Sequence, residues 1–184
     1  MNFAVFFRGI NVGGKNVVKM NALKQLLQDL GLNSVQTYIQ SGNAVLSSEL
    51  DEATLQDKIE NGFAERFGFT SSVIIRDSMA LHELIMKLPF SPDEIAAVED
   101  ADPRVAHLYV YFLDQPPEEK QMNRLNTDIE GFDRMSVGAR DVYLLCQQSI
   151  RLSKLAARAS KLFSTTTVRN WRTICKIDAM LMKR

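Results

Sequence analysis

In "RGINVGGKNVVKM", residues 8–20, Gly9 is followed after four residues by Gly14-Lys15, the spacing of a phosphate-cradling GxxxxGK[ST] loop. Asn16 stands where the magnesium-binding Ser or Thr belongs, and Val17-Val18 separate the glycines from the helix that should begin at once. The antiparallel hairpin expected downstream also differs from the parallel sheet of a nucleotidase, so that chemistry is set aside. A looser chemistry stays open. Gly13-Gly14 adopts positive φ easily and can turn successive N–H groups onto one anion. Lys15, Lys19 and Lys24 surround them, Lys24 in the first turn of a helix capped by Asn21, and no acidic residue precedes Asp29. Cations at a helix start are unfavourable unless an anion compensates; the alternative is a solvated glycine turn with hydrated lysines.

The carboxyl-terminal stretch makes a similar case. Arg151, Lys154, Arg158 and Lys161 recur at spacings of 3, 4 and 3, placing them on one face of a helix over 151–162. Arg169, Arg172 and Lys176 continue the pattern on a helix over about 168–182, with capping hydroxyls in Ser164 to Thr167. A single-sign basic face suits phosphate-rich ligands. Trp171, the sole tryptophan, is expected to anchor this helix to the core.

Other reactive types lack partners at useful spacing. Cys146 and Cys175 form no CxxC pair, His82 and His107 have no Ser, Cys or carboxylate in register, and no metal, cofactor or triad is implied. His107, Tyr109 and Tyr111 share one face of a strand, but the Lys/Arg-Gly-aromatic signature of a sheet that stacks RNA bases is missing, so they read as core. Gln40, Ser41 and Asn43 are either a polar site or the ordinary residues of a turn.

The 184 residues carry 22 basic and 22 acidic side chains, unevenly placed. Residues 1–24 hold four basic groups and no acid, residues 149–184 nine against Asp178 alone. The ends are basic and the centre acidic, a pattern fitting either an anionic partner or internal neutralisation. No apolar run is long enough to span a bilayer, no secretion signal is evident, and two distant cysteines suit a cytoplasmic protein.

The elements that must position these residues begin with a strand over 3–8, a helix from Asn21 to Gly31, strands 35–40 and 43–47 about Ser41-Gly42, a helix over Asp51 to Phe67 and a strand over 72–75. This is a ferredoxin-like βαββαβ subdomain, residues 1–88. Residues 77–103 are expected to hold one helix around Leu81 to Leu88, followed by an acidic connector, residues 89–103. The second subdomain, 104–184, reads as a strand over 105–113, a helix over 118–126, a hairpin of 132–137 and 141–146, and two terminal helices. The fold class is α+β, two small similar subdomains, the second βαββ plus two helices.

"RGINVGGKN" with Lys19-Met20, "TYIQSGN" at 37–43, "RLSKL" at 151–155 and "RNWRT" at 169–173 resemble, in that order, the signature segments of the domain of unknown function 1697 family, mostly bacterial and about this length. Arg172 stands where that pattern has Asn. The resemblance implies an α+β fold of two similar subdomains and no activity. Its motifs coincide with Arg8, Asn11, Gly13, Gly14, Lys15, Gln40, Ser41, Asn43, Arg151, Lys154, Arg169 and Asn170, to which Lys19 is added on charge. The expectation is that these converge in a cleft between the subdomains on a phosphorylated or otherwise anionic ligand, a nucleotide or nucleic acid. An enzyme acting on a phosphorylated small molecule, or an interaction module without a small ligand, are the alternatives.

Overall fold

The computed structural model describes residues 1–126, 133–163 and 166–183. Two compact units divide the chain, Met1–Glu83 with Cys175–Arg184 and Leu84–Ile174. Among the described residues there are two four-stranded antiparallel sheets and seven α-helices.

The first unit runs β1 (Asn2–Phe7), α1 (Met20–Asp29), β2 (Asn33–Tyr38), β3 (Asn43–Ser47), α2 (Glu52–Phe67), β4 (Val73–Asp77), with strand order β2-β3-β1-β4. One face of the sheet buries Phe3, Val5, Phe7, Ala44, Leu46, Val73 and Ile75 against Leu23 and Leu27 of α1 and Leu55, Ile59 and Phe63 of α2. Ala4, Phe6, Val45, Ile74 and Arg76 on the other face are buried too. Burial on both faces explains why β1 reads as an unbroken apolar run instead of an alternation. Asp51 caps α2 by accepting from the Thr54 N–H at 2.9 Å, and Gly68 ends it at φ 75°.

The helix α1 begins two residues earlier than expected. Lys19, not Asn21, is its N-cap residue, without a side-chain cap, and Lys24 therefore lies beyond the first turn. Burial decides the start: Val18 and Met20 must reach the core, whereas Asn21 is exposed.

After β4 come α3 (Ser78–Met86) and α4 (Pro92–Ala101). The stretch read as an acidic connector thus contains a helix. Its start was written in the sequence as a capping box: Ser91 accepts from the Glu94 N–H, the Glu94 carboxylate accepts from the Ser91 N–H at 2.7 Å, and Pro92 opens the first turn.

The second unit continues with β5 (Leu108–Leu113), α5 (Glu119–Asn126), β6 (Arg134–Val137), β7 (Asp141–Leu145), α6 (Lys154–Leu162), β8 (Thr166–Asn170) and α7 (Trp171–Leu181), the last shared between the units. A 3-10 turn, Ile150–Leu152, precedes α6. Phe132, Ser164 and Thr165, given roles in the sequence reading, lie outside the described residues, as does Arg184. Both expected terminal helices are present but start later, at Lys154 and Trp171, and the unexpected strand β8 lies between them. This strand makes the second unit a complete βαββαβ, with order β6-β7-β5-β8 matching that of the first.

The match reaches individual residues. Arg76 is the fourth residue of β4, opposite Ala4, the third of β1; Arg169 is the fourth of β8, opposite Val110, the third of β5. Each is buried and donates from Nη1 to the preceding carbonyl at 2.8 Å, that of Ile75 and that of Val168. Each is followed by a helix cap: Asp77 accepts from the Ala80 N–H at 2.8 Å, Asn170 from the Thr173 N–H at 2.9 Å.

Candidate functional site: the opening loop and its ledge

Between β1 and α1 the chain leaves the end of a central strand under tight control. Phe7 N–H donates to the Gly42 carbonyl at 2.8 Å, Arg8 N–H to the Ser72 carbonyl at 2.9 Å, and the Ser71 hydroxyl to the Arg8 carbonyl at 2.9 Å. The loop then folds into a miniature hairpin. Asn11 N–H donates to the Asn16 carbonyl at 3.1 Å and Lys15 N–H to the Val12 carbonyl at 3.0 Å. Gly13 and Gly14 form its tip at φ 58° and 75°, the positive values that primed hairpin turns require.

Asn11 ties three segments together. Its Nδ2 donates to the Val18 carbonyl at 3.0 Å and to the Gln40 carbonyl at 2.8 Å, while its Oδ1 accepts from the Val18 N–H at 2.8 Å. The loop, the start of α1 and the 39–42 turn are thereby one ledge. Asn16 adds a bond from Nδ2 to the Gly9 carbonyl at 3.1 Å. Asn43, fully buried, holds the turn through Nδ2 to the Tyr38 carbonyl at 3.2 Å and to the Ser41 hydroxyl at 2.9 Å. Gly42 is obligatory, since a Cβ there would meet Ile10 Cδ1 at 2.7 Å. Asn11 and Asn43 are thus the ledge's framework, a role their types also suit.

Arg8, Lys15, Lys19, Gln40 and Ser41 are exposed on this ledge. Among the described residues, none of Arg8, Lys15 and Lys19 has a carboxylate within ion-pair distance. Added side-chain atoms at Gly9, Gly13 or Gly14 would meet nothing within 4 Å, so the loop's outer surface is open. Because the hairpin tip precedes Met20 by several residues, Gly14-Lys15 does not open onto a helix, and the P-loop reading does not apply.

Three exposed apolar side chains share the ledge: Val12 at 64%, Val17 at 71% and Ile39 at 49%. Ile39 holds φ 47°, a conformation costing an L-residue about 1–2 kcal/mol, and its β-branch makes it a rarer occupant still. Asn11 at φ 56° and Asn16 at φ 51° are ordinary by comparison.

In the second unit the predicted residues are dispersed. Arg151 in the 3-10 turn and Lys154 at the start of α6 are exposed. Arg151 lies near Tyr109, which packs on the helix-facing core of this sheet with Tyr111 and Leu155. Arg169 is on the opposite face, since its register partner Val110 alternates with Tyr109 and Tyr111. It is buried, not in a helix's first turn; burial pulls its guanidinium down to about 10, and Nη1 donates to the Thr167 hydroxyl at 2.6 Å. Asn170 is spent as the α7 cap. Spacings of 3 and 4 mimicked a helical stripe across a strand–helix junction.

The remaining reactive groups are structural. His107 is buried, with Nδ1 2.8 Å from the Cys146 carbonyl and Nε2 2.9 Å from the Asp102 carbonyl. Tyr111 donates to the Ala156 carbonyl at 3.1 Å from within the core. Burial, reinforced by Asp133, pushes the Cys146 thiol up to about 12, and burial with Asp178 raises that of Cys175. Neither is an activated thiolate. His82 Nδ1 lies 3.3 Å from Asp178 Oδ2. Among the described residues there is no His, Cys, Asp and Glu cluster able to hold a metal, and no helix long and apolar enough to cross a membrane.

The family model described as protein of unknown function, DUF1697, matches residues 1–143, which include the whole ledge and end before Arg151. A solved structure, the conserved bacterial protein SP0830 from Streptococcus pneumoniae, is similar with a TM-score of 0.74 and 28% identity, over 98% of each chain. The search of curated proteins gave no match.

Proposed function

The chain belongs to the DUF1697 family of proteins of unknown function, and from that premise we propose that its opening ledge binds a phosphorylated or otherwise anionic ligand, a nucleotide or nucleic acid among the candidates. The observation that carries this reading is the Asn11 tie. One side chain fixes a loop whose exposed cations, Arg8, Lys15 and Lys19, have no carboxylate partner among the described residues, beside the uncapped start of α1. Fixed donors lose little entropy on binding, so a pre-formed loop of this kind favours recognition. A helix start that no side chain caps, with cations beside it, favours an anion.

Arg151 and Lys154 supply a second, weaker basic surface in the other unit, and Arg169 contributes to the scaffold instead of the ligand. We also read both units as ferredoxin-like, on their strand orders, and the protein as cytoplasmic, on its two free cysteines.

The test is the melting temperature of wild type and Lys15→Ala with nucleotides, short RNA and DNA, and inorganic phosphate. A ligand at 100 times its Kd adds about 2.7 kcal/mol. One ligand class is expected to raise the wild-type melting point and to shift the variant far less. Equal shifts in both proteins, or none in either, would refute the ledge as an anion site. A steep loss of the shift with salt would assign the ligand to nucleic acid.

A further inference from the structure

Resting on the anion reading of this ledge, we propose that its ligand is an amphipathic anion, a phosphate monoester carrying an aliphatic body beside the charge. The argument starts at Ile39. A turn needing positive φ at that position is ordinarily built with Gly, Asn or Asp, and the chain uses two of these types for the same purpose at Asn11 and Gly42. Ile39 instead combines an adverse backbone conformation with 49% exposure, so its side chain returns little to the folded state. Strain kept without internal compensation is characteristic of ligand-contacting positions.

Ile39 is not alone. Val12 flanks the Gly13-Gly14 tip, Val17 precedes the Val18 that Asn11 clamps, and Gln40, next to Ile39, receives the Asn11 bond. Singly exposed apolar residues are normal on any surface. Here three branched aliphatic side chains stand in the two loops that Asn11 joins, interleaved with Arg8, Lys15 and Lys19. The cations address the phosphate and the aliphatic groups address an alkyl body. A nucleobase fits less well, since bases stack on aromatic faces, while Tyr38 beside Ile39 is half-buried and Phe7 before Arg8 is buried. A phospholipid headgroup region and a free alkyl phosphate present the same chemistry.

Calorimetric titration with methyl phosphate and hexyl phosphate separates charge from body, and vesicles of phosphatidylglycerol, with phosphatidylcholine as control, separate the two sources. Hexyl phosphate is expected to bind wild type at least tenfold tighter than methyl phosphate, a gain that burial of about two methylenes supplies. Val12→Thr/Val17→Thr/Ile39→Asn should bring that ratio close to one without altering methyl phosphate binding. Lys15→Ala should weaken both. Phosphatidylglycerol-selective vesicle binding that the triple variant loses would assign the lipid source; hexyl phosphate binding without it assigns the free ligand. The triple variant is expected to melt no lower than wild type, because Asn relieves the strain at position 39. Equal affinity for the two phosphates with no vesicle binding overturns this inference and leaves the anion reading standing, as does a hexyl gain that survives the triple variant. Binding of none of the probes overturns this inference, and the melting-temperature panel with nucleotides, RNA and DNA then decides the anion reading.

Discussion

The β1–α1 connection, residues 8–19, carries Arg8, Lys15 and Lys19 and no acid, whereas its counterpart between β5 and α5, residues 114–118, carries Asp114 and Glu118 and no base. The two leave equivalent central strands of sheets with the same order. The first is a long hairpin rich in positive φ; the second is a short Pro116-Pro117 bend over a cavity of about 190 Å³ lined by Leu113, Asp114, Glu118, Gln121 and Phe163. The buried framework is shared down to Arg76 and Arg169 and their succeeding caps, yet the exposed connections differ in length, charge and shape. Packing constrains what lies inside both units in the same way. A solvent-facing loop bears no such constraint and is free to specialise.

The largest expected effect tests the shared half of that comparison. Arg76→Met and Arg169→Met each remove a buried guanidinium with charge-assisted bonds to backbone oxygen. Each should destabilise by about 3 kcal/mol in urea unfolding. A loss in one variant and not in the other would break the equivalence of the two strands.

A smaller effect sharpens the difference between the interiors. Cys146 follows β7 at the position where Ser48 follows β3, so a buried thiol exists on this strand in the second unit only. Burial pushes it up to about 12, while in the unfolded chain it ionises near 8.5. Between those values the folded state holds a proton that the unfolded state releases, so stability falls as pH rises through this window. The loss should reach about 2 kcal/mol at pH 10. Burial raises Tyr109 and Tyr111 in the same sense. Arg169, pulled down to about 10, acts oppositely above that pH. Cys146→Ala should flatten the fall of melting temperature between pH 8 and 10; an unchanged slope would remove the thiol as its cause.

The smallest effect concerns the two connections themselves. Lys15→Ala and Asp114→Asn alter exposed or half-exposed charges outside any ion pair among the described residues, and each should change stability by no more than about 0.5 kcal/mol. The two should part only in the presence of phosphate esters, where Lys15→Ala loses binding and Asp114→Asn keeps it. Identical behaviour with ligand would erase the functional contrast between the loops.

Much of the first unit was legible because its signals are local. Asp51, Gly31 and Gly68 mark helix ends by backbone chemistry, and Leu55, Ile59 and Phe63 repeat at helical spacing. The helix α4 was legible too, through Ser91, Pro92 and Glu94, but its acidic composition reads first as a connector. Of the site residues, Arg8, Gly13, Gly14, Lys15 and Lys19 fall together in one stretch of chain, so the sequence alone places them side by side. Their link to Gln40 is long-range and passes through Asn11, whose type fits a turn, a cap or a ligand equally well.

The sequence by itself determined the periodicities, the turn residues and the uneven charge, because these depend on neighbours a few residues apart. Tertiary structure alone decided that "TTVRN" is a strand: Thr166, Thr167 and Val168 are β-branched, but so short a run beside a basic helical spacing does not separate strand from helix start until β5 supplies the partner. It also decided that Arg169 is buried scaffold while Lys15 is open surface: the two are equally cationic in the sequence, and only burial, set by contacts distant along the chain, separates them.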